Sequence, residues 1–154
     1  MKPTVDRSLP HIVVVSLFLF VFPGGAGATL PLAFMLRFSR VPRLRKIGKL
    51  VLLPSVFNIN EPLLFGVPLV LNPFLVVPFV VAPSVLATIT YLAVRFALVG
   101  RPAFYYPSSI PSVVSTYLAT LDWRAGGLIV LNIAIAAMIY WPFFRAYERH
   151  EATR

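Results

Sequence analysis

A carboxylate and two amides stand close together in the segment VFNINEP, residues 56–62. Asn58, Asn60 and Glu61 supply both hydrogen-bond donors and acceptors. A carboxylate beside amides suits the vicinal hydroxyl groups of a sugar, because charged acceptors form the stronger hydrogen bonds. The surrounding tract is apolar, and a carboxylate there costs several kcal/mol unless it is protonated, paired or bound to a ligand. These three residues are therefore the candidate substrate site.

Glu61 is expected to be the one acid in an apolar environment. The other acids lie near the termini or beside an interfacial tryptophan: Asp6, Asp122, Glu148 and Glu151. Two alternatives for Glu61 stay open. It could be an acid in the first turn of a helix that complements the helix dipole. It could also be the protonatable group of a small ion-coupled carrier, with Arg95 as the only candidate for a second ionisable partner.

The remaining residues show no chemistry of their own. The sequence has no Ser-His-Asp set, no paired carboxylates and no metal-ligand cluster, and His11 and His150 are expected at the surface. Cysteine is absent, which excludes disulfides, thiolate metal sites and a phosphorylated cysteine within this chain. We therefore predict no catalytic residue, no cofactor and no metal.

Composition indicates a membrane protein. Hydrophobic residues make up 58% of the chain and charged residues 12%, whereas a soluble domain has about 25% charged residues. The net charge of +9 does not indicate nucleic-acid binding, because the basic residues gather at the ends of apolar blocks. They are typical of cytoplasmic segments, and binding of anionic lipid is the alternative role for them.

The pattern divides the chain into four regions. Residues 1–36 are predicted as a first membrane segment with a glycine-rich break, and residues 37–49 as a basic cytoplasmic loop. Residues 50–144 hold the NEP segment, a helix, a re-entrant hairpin and a last helix. Residues 145–154 form a basic cytoplasmic tail.

Within the third region, two stretches are long and apolar enough to span a bilayer, residues 79–99 and residues 126–144. Five prolines from Pro62 to Pro83 argue against one straight helix over residues 60–84, because each costs on the order of 3 kcal/mol inside a helix.

Residues 104–121 are short and broken by proline, which predicts a re-entrant hairpin. Its tip is expected at Pro107, Ser108, Ser109 and Pro111. Irregular backbone at membrane depth must line a cavity or be buried in protein, so we expect a cavity at the irregular segments.

The glycines between Pro23 and Gly27 are expected to permit a bend or a close helix contact. The alternative is that their amides face a ligand cavity. They do not form a phosphate-binding loop, because no Lys-Ser/Thr follows them.

Four segments in order resemble one family. FNINEPLLFGVPLVLNPFLVVPFVVAP resembles the core of the lactose/cellobiose-type enzyme IIC, the sugar-translocating membrane subunit of the bacterial phosphotransferase system. FPGGAGATLPLAFML is similar to its glycine-rich segment, which is also followed by a basic region and GKL. YYPSSIPSVVSTYLATLDWRA and IAIAAMIYWPFFRAYE resemble its hairpin region and its last helix.

The resemblance implies an all-α membrane protein, the C-terminal portion of an enzyme IIC transport domain with transmembrane helices and re-entrant hairpins. It implies a homodimeric complete protein, located in the bacterial inner membrane. It also implies that Glu61 is the family's sugar-binding glutamate, with Asn60 beside it and Asn58 nearby. The implied partners are the sugar, the lipid bilayer, enzyme IIB, and through it enzyme IIA and the general phosphotransferase proteins.

The sequence also departs from the family. The dimerisation domain, the first part of the transport domain and the histidine-containing GIHG motif have no counterpart, and Ser108 and Ser109 replace a Trp-Thr pattern. We therefore expect the C-terminal part of a permease for cellobiose, lactose or a related β-glucoside, with the missing half supplied by another chain. The alternative is a truncated, non-transporting remnant or a small membrane scaffold.

Overall fold

The computed structural model describes residues 18–100 and 109–154, and within them the chain is helical, with no strand. Residues 18–21 are helical, and a short 3-10 turn covers Leu69–Leu71. The six complete helices are α1 Leu30–Arg37, α2 Pro42–Val56, α3 Glu61–Gly66, α4 Val76–Arg95, α5 Ser112–Thr120 and α6 Trp123–Ala152. The predicted all-α fold is confirmed.

Several predictions lie outside the described residues. They concern the start of the first membrane segment, His11, and the tip residues Pro107 and Ser108. The second described range begins at residues 109–110, which form a turn that leads into α5.

Helix α6 is the spine of the fold, because α1, α4 and α5 all pack against it. Its buried residues recur about every four positions, which forms one continuous stripe. The stripe includes Leu128, Asn132, Ala136, Tyr140 and Phe144. Asp122 caps the N-terminus of α6, where its Oδ1 accepts a hydrogen bond of 3.0 Å from the backbone N–H of Arg124.

Two helices, α4 with 20 residues and α6 with 30 residues, are long and apolar enough to cross a membrane. They overlap the two predicted spans. Helix α4 buries a single stripe against its neighbours and exposes most of its remaining surface. Its last residue, Arg95, is exposed, as expected for a basic residue at the end of a span.

The proline-rich tract is broken as predicted, but at fewer prolines. The chain leaves helical geometry between α3 and α4, around Pro68 and Pro73. Pro78 instead lies in the first turn of α4, where the backbone N–H groups have no partner within the helix. Pro83 lies in the interior of α4. The prolines therefore break the tract between α3 and α4 but are accommodated within α4.

The sequence predicts a loop over residues 37–49, but in the structure α2 begins at Pro42 within this region. The prediction of a loop was therefore wrong. Proline suits the first position of a helix. The buried stripe of α2 lies between charged residues in the sequence and consists of Leu44, Gly48, Val51 and Ser55. At Gly48 an added Cβ would lie 2.3 Å from the backbone nitrogen of Arg37. The two helices α1 and α2 therefore cross in close contact there.

The C-terminal turns of α6 hold the start of α2. The Oε1 atom of Glu148 accepts hydrogen bonds from Ser39 Oγ at 2.6 Å and from the backbone N–H of Arg40 at 2.7 Å. Nearby, Arg43 Nη1 lies 3.1 Å from Glu151 Oε2. The basic region and the C-terminal tail are therefore side by side.

Candidate functional site

Three distant segments meet at the side chain of Asn58. Its Oδ1 accepts hydrogen bonds from the backbone N–H of Gly24 at 2.9 Å and from Ser112 Oγ at 2.6 Å. Its Nδ2 donates to the carbonyl oxygen of Ile110 at 2.9 Å. We call these four residues the Asn58 junction. It joins the glycine-rich loop, the NINEP segment and the start of α5.

The backbone explains why asparagine stands at position 58. The N–H of Ile59 donates to the Pro54 carbonyl at 2.9 Å, and the N–H of Asn58 donates to the Ser55 carbonyl at 3.1 Å. This pair of bonds is a Schellman motif, which ends a helix with a left-handed residue. Asn58 has φ of 60°, a region that asparagine tolerates better than most residues with a side chain.

The glycine-rich loop of residues 23–29 is held by two further side chains. Asn60 Nδ2 donates to the Ala26 carbonyl at 2.7 Å, and the Tyr140 hydroxyl donates to the Gly27 carbonyl at 2.6 Å. Gly25 and Gly27 have φ of 92° and 84°, and an added Cβ at Gly25 would lie 2.7 Å from Asn60 Cγ. The predicted bend is confirmed.

Glu61 is the first residue of α3, which agrees with the alternative of an acid in the first turn of a helix. Its side chain is exposed, and among the described residues it has no hydrogen bond and no ion pair. The preceding residue, Asn60, is 5% exposed and is fixed by its bond to the glycine-rich loop. The carboxylate therefore stands at a constrained backbone position and is available to an external group.

Of the two acids Glu61 and Glu148, the buried one is Glu148. Glu148 is only 8% exposed, whereas Glu61 is exposed. The expectation that Glu148 lies outside any buried environment was wrong, because it used sequence neighbours alone. Glu148 lies near the C-terminus but packs inward, where Ser39 and the backbone of Arg40 satisfy its carboxylate.

The two candidate amides hold protein groups in this structure. Asn58 and Asn60 bind backbone atoms and one hydroxyl, so both have a structural function beside any contact with a ligand. Across residues 18–100 and 109–154, no group of three or more His, Cys, Asp or Glu side chains is placed to hold a metal ion.

Sequence reasoning missed two polar residues that position the helices. Asn132 is fully buried in α6, and its Nδ2 donates to the Phe20 carbonyl and to Thr90 Oγ1, both at 3.0 Å. Ser112 completes the Asn58 junction. Asn132 could have been found as a lone amide in an apolar helix, whereas Ser112 has no such signal.

The family model described as Phosphotransferase system, EIIC matches residues 7–83, which is half of the 154-residue chain. The chain belongs to this EIIC family. The matched range contains the glycine-rich loop together with Asn58, Asn60 and Glu61. It thus includes two of the three segments that meet at the Asn58 junction.

Individual EIIC proteins are similar over almost the whole chain. The cellobiose-specific EIIC component of Geobacillus stearothermophilus is 42% identical over 151 residues, covering 96% of this chain and 34% of the relative. The lichenan permease IIC component of Bacillus subtilis is 40% identical over 149 residues, covering 94% of this chain and 33% of the relative. This chain therefore spans about a third of the length of these two relatives.

One solved structure has the same fold. It is the transporter ChbC, the IIC component of an N,N'-diacetylchitobiose-specific phosphotransferase system. The comparison gives a TM-score of 0.83 at 37% identity, covering 86% of this chain and 31% of that protein. The described helices are therefore arranged as in an EIIC transporter.

Proposed function

We propose that this chain is the C-terminal, sugar-binding part of an EIIC subunit, the membrane component that translocates sugar in a phosphoenolpyruvate-dependent phosphotransferase system. The observation that carries the proposal is the likeness to the cellobiose-specific component, which extends over 96% of this chain. Cellobiose, lactose and related β-glucosides are the proposed substrates, since relatives are named for cellobiose, lichenan and lactose.

Glu61 is the proposed hydroxyl-binding residue. Its carboxylate can accept hydrogen bonds from two neighbouring sugar hydroxyls, and charge strengthens each of these bonds. Asn60 and Asn58 are proposed to act beside it, by contact with the sugar and by holding the glycine-rich loop. The bond from Asn60 to Ala26 and the side-chain bonds of Asn58 to Gly24, Ile110 and Ser112 support this second role.

The proposed partners follow from the chemistry that this chain lacks. It contains no cysteine to carry a phosphoryl group, so we assign phosphorylation of the bound sugar to enzyme IIB. Enzyme IIA and the general phosphotransferase proteins supply IIB in turn. We also propose that the segments corresponding to the rest of the longer relatives are supplied by another chain, and that the complete assembly is a homodimer.

The proposed location is the bacterial inner membrane, with α4 and α6 as spans and the basic region and the C-terminal tail in the cytoplasm. Two contacts support placing both basic segments on one side. Glu148 binds Ser39 and the backbone of Arg40, and Glu151 pairs with Arg43. The excess of arginine and lysine in these segments favours the cytoplasmic side.

A chimera tests the proposal without knowledge of the partner chain. The third of the Geobacillus stearothermophilus cellobiose-specific component that this chain matches is replaced by this chain. Phosphoenolpyruvate-dependent uptake of cellobiose, lactose and diacetylchitobiose is then measured in cells that supply the other system proteins. We expect uptake of at least one of these sugars, and its loss on Glu61→Gln.

The chimera with Glu61→Gln is compared with a control chimera that carries Glu151→Gln. Glu151→Gln removes an acid at the far end of the chain and should leave uptake intact. A chimera that reaches the membrane and binds none of the sugars would overturn the proposal and favour a non-transporting scaffold. A chimera that transports equally well with Glu61→Gln would retain the permease function and reject the role of Glu61.

A further inference from the structure

A groove runs between α1 and α6, and two side-chain stripes line it. The α6 stripe consists of Ile133, Ala137, Trp141 and Arg145, which recur every fourth residue. The α1 stripe consists of Pro31, Phe34, Met35 and Phe38. Early residues of both helices line one end of the groove and late residues line the other, so both helices run along it in the same direction.

The groove comprises two adjoining cavities that share Phe34, Met35 and Trp141. The first has a volume of about 520 Å³, and all its lining side chains are apolar or aromatic. The second has a volume of about 390 Å³, and Arg40, Arg145 and Glu148 line it in addition to aromatic residues. Polarity therefore changes from one end of the groove to the other.

The charges at the polar end favour an anion. Arg40 and Arg145 face one carboxylate, that of Glu148, which leaves an excess of positive charge. The Oε1 atom of Glu148 already accepts hydrogen bonds from Ser39 and from the backbone of Arg40. The guanidinium of Arg145 lies 4.7 Å from the centre of the Trp141 ring, a cation–π contact that keeps it at the rim of the groove.

The change from the polar end to the apolar end of the groove runs in the same direction as the change from the surface of a bilayer to its centre. Trp141 and Arg145 follow the apolar part of α6, as interfacial anchors follow a membrane span. The apolar cavity extends back from Trp141 to Ile133, about 12 Å along the helix at 1.5 Å per residue. The polar end thus lies at the interface and the apolar end reaches toward the bilayer centre.

We propose that this groove binds an anionic phospholipid, with its phosphate between Arg40 and Arg145 and an acyl chain along the apolar cavity. A soluble anion would fill only the polar end and leave the aromatic wall unused. A protein segment would have to supply a negative charge and an apolar face in this same order. A phospholipid has that order in its covalent structure and is present at this depth of the membrane.

Tryptophan fluorescence can test the proposal, because the chain contains two tryptophans. Trp141 lines the groove, whereas Trp123 lies about 27 Å away along α6, given 1.5 Å per residue. Trp123→Phe and Trp141→Phe provide the full chain with a single reporter at either place. Each protein is placed in phosphatidylcholine vesicles that contain a small fraction of brominated phosphatidylglycerol or of brominated phosphatidylcholine, and quenching is compared.

We expect Trp141 to prefer phosphatidylglycerol by about fivefold or more, since each basic residue near a membrane surface contributes about that factor. Trp123 should show a smaller preference than Trp141, because the carboxylate of Asp122 offsets the charge of the neighbouring Arg124. Arg145→Gln should reduce the preference at Trp141 about fivefold, Arg145→Lys should retain most of it, and Arg149→Gln should leave it unchanged. Arg149 is exposed and does not line the groove.

Five results would overturn the proposal, and the first four concern the lipid preference and its competitor. They are equal quenching of Trp141 by the two lipids, an equal preference at Trp123, a preference that survives Arg40→Gln combined with Arg145→Gln, and displacement of the lipid by soluble glycerol phosphate. The last would identify an anion site without an acyl chain. Absence of any quenching at Trp141 would show that protein fills the groove, and would also reject the lipid.

Discussion

Glu61 and Glu148 are carboxylates in opposite settings. Glu148 is 8% exposed, and its Oε1 accepts two hydrogen bonds from the segment before α2. Glu61 is exposed and has no hydrogen bond or ion pair among the described residues, although Asn60 beside it is buried and fixed. The carboxylate of Glu148 forms hydrogen bonds that stabilise the fold. The backbone at Glu61 is fixed through Asn60, but its carboxylate forms no such bond among the described residues.

This difference shows that burial alone does not identify a binding acid. A buried carboxylate must be satisfied by its own protein to be tolerated, and Glu148 is satisfied in that way. A binding carboxylate needs a fixed backbone and an open acceptor, because a preorganised group loses less entropy when the ligand arrives. Glu61 meets these two conditions, and substitutions at the two acids should therefore affect different properties.

The largest expected effect is on stability at Glu148. Glu148→Ala should lower the free energy of unfolding by about 3 kcal/mol, because Ser39 Oγ and the N–H of Arg40 lose their acceptor. Thermal unfolding in detergent should show a decrease of about 6–12 °C in Tm.

Glu151→Ala is the matched control for Glu148→Ala. It removes an acid three positions further along α6 whose own side chain is 8% exposed but whose ion-pair partners, Arg43 and Arg154, are both exposed. Water can solvate these arginines once the acid is removed, so the cost should stay below about 1 kcal/mol. Equal destabilisation by the two variants would show that the hydrogen bonds of Glu148 contribute nothing particular to the fold.

Glu61→Gln should reverse this pattern. We expect sugar affinity in the chimera to fall about 30-fold, because a neutral amide replaces the charged acceptor. The free energy of unfolding should change by less than about 0.5 kcal/mol, as for an exposed substitution. Calorimetric titration with cellobiose and thermal unfolding measure the two quantities. A drop in stability as large as that of Glu148→Ala, with affinity intact, would make Glu61 a structural acid.

Asn58 should show how the backbone beside Glu61 is fixed. Asn58→Ala and Asn58→Gly both remove the side-chain hydrogen bonds of the junction, but only alanine strains the left-handed backbone. Asn58→Ala should therefore be less stable than Asn58→Gly by about 1 kcal/mol. Denaturant unfolding in micelles measures this difference. Equal stabilities would show that the Schellman geometry does not depend on residue 58.

Local rules of sequence predicted the parts of the fold that depend on neighbouring residues. The long apolar stretches indicated α4 and α6, the five prolines indicated a break in the tract, and the glycines between Pro23 and Gly27 indicated a bend. Each of these features follows from steric limits or from hydrophobic length over a few turns of chain.

The parts that failed depend on residues far apart in the chain. Ser39 and Glu148 are separated by 109 positions, and the partners of Asn58 by 34 to 54 positions. No local pattern states which of several polar residues will meet across such distances. The basic region was predicted as a loop for a related reason. Its charged residues are more prominent in the sequence than the few residues that α2 buries against its neighbours.

The smallest expected effect concerns the ion pair that connects the basic helix to the tail. Arg43→Gln should change the free energy of unfolding by less than about 0.5 kcal/mol, because Arg43 is exposed and Arg154 remains as a second partner of Glu151. Position is nevertheless informative where energy is small. The chain has no cysteine, so Arg43→Cys combined with Glu151→Cys allows crosslinking in membranes without background. Crosslinking of the two cysteines by a bifunctional maleimide is expected if both segments lie on one side of the bilayer. Labelling of the two cysteines from opposite sides would contradict the contact between Arg43 and Glu151.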